Sequence, residues 1–240
     1  TEKLRAYSDP SIRQKLHEEL VEWKADIPGN TISRQWYDYM WVQEAALAKN
    51  KGLEGKSIRE LATLQGKGII DAFLDLVVEE DLNTLFLQGE NNVDKEAVGT
   101  ILNYPSAIVG LSDGGAHVQF HGGYGYSTRL LGYWVREQGV MSLEKAVRRL
   151  TFDSASVFGI FDRGLLRPGM AADITIFDPE TVKPGHEDIV HDFPAGGWRF
   201  RELAEGVHYT IVNGQVLIED GKYSGALAGR VIRNSRCSVQ

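Results

Sequence analysis

"RGLLRPGMAADITIFD", Arg163 to Asp178, is the stretch on which the fold turns. Its first half is built for turns. Gly164, Pro168 and Gly169 interrupt any helix there, since an interior glycine costs about 1 kcal/mol relative to alanine and proline about 3 kcal/mol. From Asp173 the composition switches to Ile-Thr-Ile-Phe, the residue types that suit a strand. The texture changes near Gly159: strands and helices alternate before it, and strand signals dominate after it. "HYTIVNGQVLIEDGKY", residues 208–223, predicts a hairpin, because Asn213-Gly214 suits the positive φ angles of a two-residue type I′ turn. "GRVIR", 229–233, reads as a last strand. The boundary is placed near residue 160, with a helix-rich portion over 1–160 and a small β unit over 161–240.

Upstream, "SDPSIRQKLHEELVEWK" predicts a helix with Asp9 as N-cap and Pro10 at the first helical position. "WYDYMWVQEA", 36–45, reads as a buried strand or a helix. Ser57 and Glu60 make a capping box. "GIIDAFLDLVVEED" is amphipathic, with Ile69, Phe73, Leu76 and Val77 on one face. "NTLFLQGE" and Ala107–Leu111 are continuous apolar runs of the kind found in parallel strands. "DKEAVGTILNYP", "YSTRLLGYWVREQG" and "SLEKAVRRLTFDSASVFG" read as helices. So few strands cannot close a barrel or build a sheet covered on both faces. The expected class is therefore α/β, and the chain reads as the C-terminal piece of something larger.

Composition narrows the function classes. With 240 residues, 42% hydrophobic and 25% charged, the chain has globular composition. A net charge of −7 offers no broad basic surface for phosphate neutralisation, so nucleic acid is not an expected partner. No apolar run reaches bilayer length, no secretory leader opens the sequence, and Thr1 stands where an initiator Met would. The single Cys237 cannot form an internal disulfide. The expectation is a cytoplasmic protein acting on a small molecule, away from membranes.

"GLSDGGAHVQFHGGYG", 110–125, gathers the chemistry. Asp113 follows the C-terminal end of an apolar run, where barrel and open-sheet enzymes place catalytic groups. A carboxylate there can move a proton or bind a metal; it can equally cap a turn. His117 and His121 are spaced i,i+4, but the glycines between and around them disfavour a helix that would present both to one ion. Three other motifs are set aside. "NKGLEGKS" has Asn50 where a phosphate-binding loop needs its first glycine, Ser142 of "SLEK" reads better as a helix N-cap, and "GGYGYS" has only Arg129 as a nearby cation for an anion cradle.

Taken together, "GLSDGGAH", "LLGYWVRE", "MSLEKAVRRLT", "DRGLLRPGMAADITIFDPETV" and "YTIVNGQVLIEDGKYSGALAGRVIR" resemble the D-aminoacylase-like branch of the amidohydrolase superfamily. The resemblance implies a (β/α)8 TIM barrel with a small composite β-sandwich drawn from both chain ends. "NTLFLQGE" would be strand seven and Asp113 would end strand eight. It implies that Asp113 is general base and then general acid for a metal-activated water, and also a metal contact, with one or two Zn2+ as cofactor. The family's HxH pair and mid-barrel ligands precede the matched part. The expected partner is therefore the missing N-terminal barrel half, in the same or a separate chain, and the isolated piece is expected to be inactive. D-aminoacylases carry His-Pro-Arg after the Asp; here His121 is followed by Gly122 and Gly123, so an amide or acyl substrate other than an N-acyl-D-amino acid is expected. His117, His121, Tyr124 and Tyr126 are the candidates for lining the substrate pocket. The alternatives are a non-catalytic subunit of the same family and an anion-binding module.

Overall fold

The structure, a computed structural model, describes residues 1–21, 35–89, 92–112, 114, 118–119 and 123–232. The chain divides into two compact units, Thr1–Lys95 and Glu96–Gln240.

In the first unit, α1 (Glu2–Ser8) precedes the anticipated α2 (Pro10–Val21). The sequence signal for α1 is weak because it is a single seven-residue segment with no fully buried residue. Asp9 separates the two, its carboxylate accepting from the Ser11 amide at 2.8 Å and hydroxyl at 2.6 Å. Residues 36–45 resolve into one turn of 3-10 helix, Trp36–Asp38, and strand β1 (Met40–Glu44). The capping box opens α3 (Ile58–Gln65): Ser57 Oγ accepts from the Glu60 amide at 3.2 Å, and Glu60 Oε2 accepts from the Ser57 amide at 2.7 Å. α4 (Ile69–Glu79) follows, with Leu76 and Val77 buried as the periodicity predicts, and Ile70 and Leu74 buried beside them.

β2 (Leu85–Gln88) corrects the sequence reading. It pairs antiparallel with β1, Trp41 opposite Leu87 and Val42 opposite Phe86, and is not a parallel strand in this unit. The core beneath holds Val42, Ile58, Leu61, Ala62, Ala72 and Leu76, with Trp36, Phe73 and Phe86 packed against it. A fully buried Ile or Leu of this kind contributes about 1.5–3 kcal/mol by its removal from water.

The second unit opens with α5 (Lys95–Asn103), whose Asn103 amide donates to the Gly99 and Val140 carbonyls. Ala107–Leu111, expected as a strand, has no strand partner among the described residues. A strand exists only through its ladder, and here side chains take the carbonyls instead. Arg149 donates to the Tyr104 and Ala107 oxygens, and Ser154 Oγ to that of Val109.

α6 (Tyr126–Arg129) continues through a π-helical stretch, Leu130–Glu137. α7 (Leu143–Arg148) likewise runs through a π-helical stretch, Arg149–Asp153, into α8 (Ser154–Val157), so both expected helices form, each with a stretch of wider turns. Among the described residues, strands and one 3-10 turn follow. β3 (Ile174–Phe177), β6 (Val207–Val212), β7 (Gln215–Glu219) and β8 (Lys222–Tyr223) make an antiparallel sheet in the order β3-β6-β7-β8. Asn213 and Gly214 turn β6 into β7 with φ of 48° and 78°, as the hairpin signal requires. Residues 229–232 form no strand, because β8 pairs with β7 alone and offers them no ladder among the described residues.

The opening stretch of the sequence fastens this sheet. Arg163 bonds the Asp173 carboxylate at 2.7 Å and Asn213 Oδ1 at 3.0 Å, while the other Asp173 oxygen accepts from the Asn213 amide at 2.7 Å. The motif thus ties the turn before β3 to the turn after β6. Between β3 and β6 the chain makes an excursion that the sequence reading did not foresee: an antiparallel arm, β4 (Lys183–Val190) and β5 (Arg199–Glu205).

Candidate active site

Asp113, His117 and His121 lie outside the described residues. The site is therefore built from what flanks them in the second unit. Leu111 and Ser112 lead in, with Leu111 largely exposed. Gly114 lies under an aromatic ring: a Cβ placed on it would stand 2.7 Å from Tyr124 Cδ1, so only glycine admits Tyr124 this closely. Tyr124 also lines a shallow, open hollow of about 380 Å³ with Val118, Asp192, Phe193 and Arg199. Tyr126 is the first residue of α6 and is exposed. The structure brings Tyr124 against Gly114 and into one hollow with Val118, and it leaves Tyr126 outside the hollow's lining.

The rest of the hollow comes from the tip of the β4–β5 arm, whose residues the sequence reading did not single out. Arg199 forks onto Asp192, Nε to Oδ1 at 2.9 Å and Nη2 to Oδ2 at 2.7 Å, so its charge is already matched within the protein. Asp192 holds the guanidinium above its ordinary pKa, and Arg199 in return holds the Asp192 carboxyl below the usual range. The arm also reaches the glycine-rich segment through its backbone, the Phe200 amide donating to the Val118 carbonyl at 2.8 Å. Two carboxylates of the arm take amides of the same segment: Gly123 donates to Glu187 at 3.3 Å and Gly125 to Glu202 at 2.8 Å. The "GGYGYS" donors that an external anion would need at Gly123 and Gly125 are engaged by the protein's own carboxylates. Burial raises the Glu202 pKa, opposed by the Gly125 amide and reinforced by Glu187.

Among the described residues, no group of three or more His, Cys, Asp and Glu is placed to hold a metal ion, so they do not by themselves make a zinc site. No helix among them is long and apolar enough to cross a membrane.

The amidohydrolase family model matches residues 32–218, most of the chain and all of the arm. The chain belongs to the amidohydrolase family. Within it, the chain is 30% identical over 182 residues to the D-aminoacylase of Alcaligenes xylosoxydans xylosoxydans, covering 75% of this chain and 34% of that protein. It is 34% identical over 230 residues to an uncharacterized protein of Mycobacterium tuberculosis, covering 91% of this chain and 36% of that one. Among solved structures, it is similar to an N-acyl-D-glutamate deacylase from Bordetella bronchiseptica complexed with zinc and a phosphonate inhibitor, at 25% identity and a TM-score of 0.42, covering 81% of this chain and 38% of that one. The chain spans about a third of the length of the curated relatives it matches. The α/β class stands.

Proposed function

We propose that this chain is the C-terminal portion of a metal-dependent amidohydrolase that hydrolyses the C–N bond of a small-molecule amide. The observation that carries this reading is the family match over residues 32–218. The similarity to a D-aminoacylase over 182 residues supports it. In this reading residues 1–160 belong to the barrel portion and 161–240 to the small β-domain. The remaining barrel half, carrying the HxH pair and the mid-barrel ligands, is supplied by the same or a separate chain.

The reaction adds water across an amide. The water oxygen bonds to the carbonyl carbon, the C–N bond breaks, and a carboxylic acid and an amine leave. Asp113 is assigned the proton: it accepts one from the attacking water and returns it to the departing nitrogen. Zinc, one or two ions held in part by Asp113, supplies Lewis-acid polarisation and a lowered water pKa when bound. His117, His121, Tyr124 and Tyr126 are assigned to the substrate pocket. The Gly122-Gly123 pair in place of Pro-Arg removes a carboxylate-binding guanidinium, which favours amides other than N-acyl-D-amino acids. The apolar rings of Tyr124 and Phe193 and the internally matched Arg199 are consistent with that preference.

The test is amine release from a panel of N-acyl amino acids and simple amides by the whole protein, with every chain that accompanies it. Turnover that disappears on chelation and returns with zinc supports the reading. A panel left intact by metal-replete protein overturns it.

A further inference from the structure

The β4–β5 arm carries a charge pattern with one anomaly. Of its three cross-strand pairs in which both residues are charged, two are of opposite sign: Lys183 faces Glu205, and Asp188 faces Arg201 in a two-bond ion pair of 3.1 and 2.5 Å. Glu187, however, lies directly opposite Glu202. Like charges so placed destabilise a ladder, commonly by a few tenths of a kcal/mol up to about 1. Each carboxylate is instead directed at a backbone amide of the glycine-rich segment, Glu187 at Gly123 and Glu202 at Gly125. A like-charged pair becomes tolerable when each member accepts hydrogen bonds that stabilise its ionised form.

The fit at Gly125 is close. A Cβ there would stand 2.5 Å from Glu202 Oε1 and 2.9 Å from Pro184 Cβ. Its φ of −76° is open to any residue, so the demand for glycine is one of space. Tyr124 sits between the two anchored glycines, and its ring rests on Gly114, the residue after Asp113.

We propose that the β4–β5 arm clamps Val118 and Gly123–Gly125, with Glu202 as principal anchor and Glu187 as second, and that Glu202 is thereby a positioning residue acting through Tyr124. Its consequence for turnover rests on the hydrolase reading; the clamp does not.

The test is hydrogen–deuterium exchange on the whole protein, comparing the native form with E202A and E202Q. In E202A, peptides covering 118–126 are expected to exchange at least about tenfold faster, the signature of local opening, while those covering 207–219 are unchanged. E202Q, whose amide oxygen still accepts, is expected to restore most of the protection and most of kcat. For the amide substrate that the native protein turns over, E202A is expected to lower kcat about tenfold with little change in KM, as for a misplaced orienting group. Should E202A fail to fold, G125A gives the same readouts, because its Cβ pushes the carboxylate off the amide. Unchanged exchange at 118–126 overturns the clamp. So does a rise extending through 207–219, or an E202Q no better than E202A. If exchange rises locally while the native protein cleaves no amide, the clamp stands and the hydrolase reading falls.

Discussion

Arg149 donates from Nη1 to the Ala107 carbonyl at 2.6 Å, and its Nη2 takes the Tyr104 carbonyl at 2.8 Å. The side chain is buried, and the segment it grips runs on to Asp113. A guanidinium thus does here what a sheet ladder does elsewhere: it satisfies the backbone carbonyls of Tyr104 and Ala107.

Replacing Arg149 removes both bonds at once. R149A is expected to destabilise the protein by about 2–4 kcal/mol, since hydrogen bonds to charged groups are each worth about 1.5–3 kcal/mol and the freed carbonyls are part-buried. R149K should recover only part of this, because one ammonium cannot fork across two carbonyls. Denaturant unfolding of the two variants checks the order.

Glu80 is the second buried charge. Its carboxylate accepts from the Ala46 amide at 2.9 Å, the Leu47 amide at 3.1 Å, Asn50 Nδ2 at 3.0 Å and Thr84 Oγ1 at 2.6 Å. Burial pushes its pKa up, but these donors together prevail and hold it at about 2, below its ordinary 4.5. A group whose pKa is depressed on folding stabilises above its unfolded value. That contribution, about 3 kcal/mol for such a shift, is present above pH 4.5 and lost as pH falls toward 2. E80Q should flatten the stability profile between those limits and lower stability at neutral pH. A native profile already flat there would contradict the assignment.

Gly132 packs its backbone on the segment entering β4. A Cβ would meet the Val182 carbonyl oxygen at 2.4 Å and Lys183 Cα at 3.3 Å, both backbone atoms that cannot swing aside. G132A is therefore expected to cost about 1–3 kcal/mol despite alanine's better helix propensity, as overpacking does. A raised melting temperature in G132A would contradict this packing.

Local signals were legible where the code is local. The Ser57–Glu60 capping box, the Asp9-Pro10 helix start and the Asn213-Gly214 turn all form as read, because each is settled by a few neighbouring residues. Pairing was not legible. The apolar runs at 85–88 and 107–111 look alike, yet one pairs antiparallel with β1 and the other is held by Arg149 and Ser154, since a partner distant in sequence decides. The β4–β5 arm was hidden because Pro184, Gly185 and a run of charges mask its alternation. Of the candidate site, the sequence names Tyr124 as a candidate lining residue, and the structure sets its ring against Gly114. Glu187, Glu202 and Arg199 were not, because nothing in a linear sequence sets an arm 60 to 80 residues downstream against a glycine-rich segment.

The most direct test of the central claim is the turnover of D113N beside the native protein, with metal content and unfolding measured on both. D113N is expected to fold and to hydrolyse the amide at least about a thousandfold more slowly, the scale of losing a general acid–base group. Hydrolysis by D113N at the native rate would contradict it.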